Sequence, residues 1–157
     1  MMGKILGRNK YIHYGTKIFV PNRFKEIKND DDTKPNPDTG FWASRLDAEW
    51  GWAKWCKSIG YRYFDKNGYF IFTLSENAKV CHLYAFDDLL KLPQNEQIKS
   101  DKSWYFIDFE KSTKIYDAIE LHMTDGFDSD LSHALYGWDC DCILILNKDI
   151  IIPIYAQ

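Results

Sequence analysis

Three separated fragments carry the side chains of this sequence that could do chemistry together. Tyr11-Ile12-His13-Tyr14-Gly15-Thr16 offers an imidazole beside a glycine and a hydroxyl. Gly40-Phe41-Trp42-Ala43-Ser44 offers an indole face and a second hydroxyl, and Trp138-Asp139-Cys140-Asp141-Cys142 offers two carboxylates and two thiols. Each reads as an aromatic-flanked strand end with a polar group able to reach a ligand. If the third fragment enters a strand, alternation places Asp139 and Asp141 on one face and Cys140 and Cys142 on the other. Two other chemistries compete. Cys81, His82, Cys140 and Cys142 could bind a metal, although structural zinc sites usually use a Cys-x2-4-Cys knuckle in a turn. Cys56 could act as a nucleophile with His82, His122 or His133, but no flanking signature supports it. There is no Gly-rich phosphate loop.

For these groups to meet, strands must position them. Tyr11 to Tyr14 and Phe41 to Ser44 read as short strands, joined across Asn29 to Thr39, whose Asp, Lys, Pro and Asn content is that of a loop. That loop is expected to border a ligand cleft and to be mobile without ligand. In Asp47 to Ser58, Ala48, Trp52 and Trp55 or Cys56 recur at helical spacing with Asp47 as N-cap, and the helix stops at Gly60. Tyr69 to Leu74 and Lys79 to Tyr84 form a strand-turn-strand pattern around Ser75-Glu76-Asn77-Ala78. Asp87 to Leu92 is a short amphipathic helix stopped by Pro93, and Trp104 to Phe109 is a strand or the entry to a helix. Tyr116 to Leu121, Cys142 to Leu146 and Ile150 to Tyr155 are further strands. Short strands with few helices and no βαβ alternation give an α+β fold, with residues 1–157 as a single domain.

In order and context, the three fragments resemble the active-site frame of the ADP-ribosyltransferase superfamily, both its poly-ADP-ribose polymerase-like and its small toxin-like branches. The resemblance implies a split antiparallel β-sheet core that grips NAD, which is a substrate and not a resident cofactor. His13, Gly15 and Thr16 are similar to the first family segment, with Tyr14 inserted between the His and the Gly. His13 would then hold the ribose of the nicotinamide nucleoside. Trp42 stands where the family has a Tyr flanking the nicotinamide ring, and a Trp face can stack on a pyridinium with about 0.5–2 kcal/mol of added cation–π attraction. Ser44 resembles the serine that orients the catalytic carboxylate. The third family segment carries a Glu at the start of a strand. Here Asp141 and Asp139 take its place, shorter by one carbon–carbon bond of about 1.5 Å, with Glu120 as the alternative carboxylate. The resemblance also implies that His13 and Trp42 face one cavity from the same side of the sheet and that Asp141 points into it. Between Gly60 and Ser112 the sequence matches no family segment.

Composition limits the partners. A chain of 157 residues can bury a core without disulfides or metal. A net charge of -3 gives no basic field for a polyanion, so nucleic acid is not an expected partner. Four cysteines without framework spacing, no leader-like apolar start and no bilayer-length apolar run are read as a reducing cytoplasm and no membrane. The Lys, Asn, Ile, Asp and Tyr bias suggests a low-GC microbe or one of its phages. The expected activity is cleavage of the nicotinamide–ribose bond of NAD, by transfer of ADP-ribose to an unknown acceptor such as a protein, or by hydrolysis, in the manner of a toxin or effector. The alternative is a non-catalytic nucleotide- or protein-binding module on the same fold. Taken singly, each fragment has a plainer explanation: a satisfied structural His, core tryptophans and solvated turn carboxylates.

Overall fold

A computed structural model describes residues 9–100, 102–123 and 128–155. Its centre is a seven-stranded sheet, built where aromatic and β-branched residues fit a pleated, half-buried surface. The strands are β1 (Tyr11–Tyr14), β2 (Phe41–Arg45), β3 (Tyr69–Leu74), β4 (Val80–Leu83), β5 (Ala118–Leu121), β6 (Cys142–Ile145) and β7 (Ile151–Ile154), in spatial order β4-β5-β6-β2-β1-β3-β7. Among the described residues, three short α-helices, α1 (Trp52–Ser58), α2 (Phe109–Ser112) and α3 (Ser129–Ala134), and three 3-10 turns at Pro21–Arg23, Phe86–Lys91 and Lys148–Ile150 complete it. The α+β class is thus present. The sheet is mostly antiparallel, except that β4 and β5 run parallel. The chain from Tyr84 to Asp117 supplies the long crossover that a parallel pair needs.

One core lies on each face. Leu83, Ile119, Leu121 and Leu144 pack with Leu89, Phe109, Leu131 and Trp138 beneath the helices. Tyr11, Phe70, Phe72, Ile143 and Ile145 pack with Ile150 on the other face. Two expectations about local order change. Tyr69 to Leu74 and the run after Lys79 do not pair as a hairpin: β3 lies between β1 and β7, and β4 sits at the far edge against β5. The helix expected from Asp47 begins only at Trp52, with Gly51 as an extended N-cap. The preceding turn is held elsewhere, because Trp50 accepts a bond from the Asp141 N–H at 2.8 Å and donates its indole N–H to the Asp139 carbonyl at 3.1 Å.

The joint between β1 and β2 positions the site. Tyr11 pairs with Arg45 and Ile12 with Ser44, and the ladder stops there. Beyond that point β1 continues against β3, with His13 opposite Phe70 and Tyr14 opposite Tyr69, while β2 continues against β6, with Trp42 opposite Leu144. The two strands therefore part, and a cleft opens between them.

Candidate functional site

A cavity of about 450 Å³ occupies this parting. His13, Trp42 and Ser44 line it from the two strands, Trp52 and Trp55 from α1, Lys34 from the 29–39 loop, and Trp138 and Asp139 from the approach to β6. The volume lies in the range of small-molecule sites, and an apolar wall carrying a few polar groups is their usual make-up. Trp52 and Trp55 stack at 5.1 Å and 24°, and Trp42 meets Trp138 edge-on at 4.9 Å.

His13 spans the opening. Its Nδ1 lies 2.6 Å from the Trp42 carbonyl, so a side chain supplies the bridge that the interrupted ladder does not. A carbonyl only accepts, so Nδ1 carries the proton and Nε2 of the neutral ring is left as an acceptor. Burial pushes the His13 pKa down, and the Trp42 carbonyl only partly offsets it, which keeps the ring neutral. The ring stacks on Phe41 at 3.9 Å.

His13 and Trp42 thus border one cavity, but they reach it from opposite faces of the sheet. His13 packs with Phe41 and Phe70, whereas Trp42 packs against the core that holds Trp138. The same-side arrangement is corrected by strand alternation, since His13 shares its face with Tyr11 and Trp42 shares its face with Ser44.

Ser44 is buried and ties three segments together. Its hydroxyl donates to the Asp141 carbonyl at 2.9 Å and accepts from the Trp52 N–H at 3.0 Å. It therefore holds the backbone of Asp141, not its carboxylate. Gly15 and Thr16 lie outside the cavity lining. Gly15, at φ +123°, donates its N–H to the Gly68 carbonyl, and the Thr16 hydroxyl donates to the Ile18 carbonyl.

The carboxylates do not stand as alternation predicted. β6 begins at Cys142, so Asp139 and Asp141 precede the strand and the period of two does not govern them. Asp139 is exposed and lines the cavity. Asp141 is 1% exposed, is absent from the lining, and accepts a short bond from the Met123 N–H on its carboxylate.

Glu120 lies on β5, again away from this lining. The Tyr11 hydroxyl donates to its Oε2 at 3.0 Å, and Arg45 Nε stands 3.4 Å from its Oε1. His82 and His122 flank the same carboxylate. Burial pushes Glu120 up to about 7, against the pull of Tyr11 and Arg45.

The competing thiol chemistry loses support. All four cysteines are buried and unpaired by disulfides. Burial pushes Cys56 up, while a hydrogen bond to Cys140 together with burial pushes Cys142 up strongly, so both are held as thiols. His82 bonds to His122 and His133 to Ser103, so neither bond serves Cys56.

The 29–39 loop borders the cavity through Lys34, and it is firmly attached. The buried Thr33 donates its hydroxyl to the Tyr136 carbonyl at 2.6 Å, and its own carbonyl accepts the Trp138 indole N–H. The Asn29 side chain bonds to Asp108 and to the N–H of Phe109. Sequence reasoning missed Lys34, Trp138 and the grouping of His82 with Glu120 and His122. For that group the sequence carried little signal, since His122 lies one residue past the end of β5, where the period of two does not govern it.

No family model matches the chain, nor does any curated protein or solved structure. Among the described residues, no helix is long and apolar enough to cross a membrane.

Proposed function

We propose that the cleft between β1 and β2 binds NAD by its nicotinamide end, and that the chain cleaves the nicotinamide–ribose bond. The observation that carries this reading is the convergence of His13 and Trp42, distant in sequence, on one cavity walled by three further tryptophans. The Trp42 indole offers a face for the pyridinium ring. The His13 Nε2 acceptor suits a ribose hydroxyl. A second cavity of about 680 Å³ shares Ile12 and Tyr14 with the first and carries Lys57, Arg62, Tyr61 and Phe64. Two cations and two aromatic rings there fit a diphosphate and an adenine.

Cleavage of NAD through a dissociative transition state asks the protein mainly for positioning and for negative charge near the developing oxocarbenium. Asp139 is the carboxylate lining the cavity, so it takes the role that the resemblance assigned to the third segment. Asp141 instead holds backbone.

A second reading is the binding module without turnover. It is favoured by the exposure of Asp139, because a carboxylate in water stabilises charge far less than one in a dry site. It is favoured also by the entry of His13 and Trp42 from opposite faces. A nicotinamide-release assay on the purified chain with NAD tests both. The cleavage reading expects release, lowered on the order of ten- to a hundredfold by Asp139→Asn. NAD binding without release leaves the module, and release unaffected by Asp139→Asn contradicts the assignment of that residue.

A further inference from the structure

Outside the aromatic cleft, β4 and β5 bring together a second set of polar groups that the NAD reading does not use. We propose that His82 Nδ1, His122 Nε2 and Glu120 Oε2 form a binding site for a divalent transition-metal ion of the zinc class.

The parallel register sets His82 opposite Glu120, and His122, one residue past the end of β5, is held there by its N–H donating to the Leu83 carbonyl at 2.9 Å. The three ligand atoms lie within 4.8 Å of one another. His82 Nδ1 stands 2.9 Å from His122 Nε2 and 3.5 Å from Glu120 Oε2, and His122 Nε2 stands 3.9 Å from Glu120 Oε2. Tetrahedral zinc with bonds of about 2.0–2.1 Å separates its ligand atoms by roughly 3.3–3.4 Å. The observed triangle brackets that value, so an ion needs only small movements of the two rings. Two imidazole nitrogens facing at 2.9 Å need a proton between them when no metal is present, and an ion would take the place of that proton.

Other residues support the ligands in the way metal-binding histidines and carboxylates are usually supported. The Tyr84 ring lies 4.2 Å from that of His122 and within 13° of parallel, which fixes the imidazole plane. Tyr11 donates to Glu120 Oε2, which keeps a second lone pair for the ion. The side chains of Glu120 and His122 are 2% and 4% exposed, while that of His82 is 42% exposed. His82 therefore brings the edge of the group to solvent. A donor set of two imidazoles and one carboxylate suits zinc, cobalt, nickel or copper, and not magnesium or calcium.

Charge sets the conditions for binding. Burial, followed by Arg45 and Lys91, pushes His82 down and keeps it in the neutral, ligating form. Glu120, at about 7, faces Tyr11, Arg45, His82 and His122, with Asp141 and Asp47 adding negative charge.

The test uses the full chain, stripped with a chelator and titrated with zinc alone by calorimetry, while thermal melting is followed in parallel. One ion per chain and a raised Tm are expected, with excess magnesium unable to compete. His82→Ala, at a half-exposed side chain, and the near-isosteric Glu120→Gln should each weaken binding on the order of a hundredfold. Cobalt in place of zinc should give a visible spectrum without a sulfur-to-cobalt charge-transfer band, a readout that needs no variant. The absence of saturable zinc binding, a thiolate band, or full affinity retained in both variants would overturn the proposal.

Discussion

The Asp141 carboxylate accepts the Met123 N–H, while its carbonyl accepts the Ser44 hydroxyl and its N–H donates to Trp50. Such a residue works as a backbone clamp. Asp141→Ala is expected to cost about 1–3 kcal/mol in denaturant unfolding, because it strands the part-buried Met123 donor and opens space at a buried side chain. Its effect on any NAD turnover should be no larger than the loss of folded protein explains. A turnover loss in fully folded Asp141→Ala would return the catalytic role to this residue. Glu120 makes a different prediction. Its folded value of about 7 stands above the ordinary 4.5 because of burial, so between those values the folded chain binds more protons than the unfolded one. Stability is therefore expected to fall as pH rises from about 4.5 through 7, by about 3 kcal/mol for this group alone in metal-free buffer. Glu120→Gln should remove that slope in unfolding curves measured across the range. Parallel curves for wild type and variant would show that the carboxyl is already ionised when buried.

At the scale of elements, the parting of β1 from β2 makes the site, and Gly40 sets where β2 begins. At φ +74°, a Cβ there would come within 2.6 Å of Ile27 Cδ1 and 3.2 Å of Leu144 Cδ1. Gly40→Ala is expected to destabilise by about 1–3 kcal/mol, from backbone strain and overpacking together. It should also weaken ligand binding, since Trp42 lies two residues on. Denaturant unfolding checks the first effect, and wild-type stability in Gly40→Ala would contradict the described packing. The strands themselves were legible in the sequence, because runs such as Tyr69 to Leu74 and Cys142 to Leu146 have few other ways to bury their side chains. Their partners were not legible. Nothing local tells β3 to join β1 and β7 instead of β4, and a tetrapeptide that looks like a hairpin turn can equally lead the chain to another edge. The start of α1 was misplaced because Trp50 is held by Asp139 and Asp141, residues about ninety positions away. Asp139 and Asp141 were misplaced in turn because a period of two applies only within a strand, and the strand begins one residue later.

Across the whole molecule, one sheet separates two cores and presents two unrelated sets of polar groups. The aromatic cleft sits at the parting of the strands. The His82, Glu120 and His122 group sits toward the β4 edge, where a parallel pair joins residues distant in sequence. The first was partly legible, since fragments holding His13 and Trp42 stood out by type and order. The second depended on register across a crossover, which no local pattern encodes. If the cleft holds NAD against Trp42, calorimetric titration of NAD into the purified chain will register it. One saturable site per chain is expected, weakened about tenfold by Trp42→Ala through loss of the stacked face. No saturable heat with wild type, or an affinity unchanged in Trp42→Ala, would contradict it.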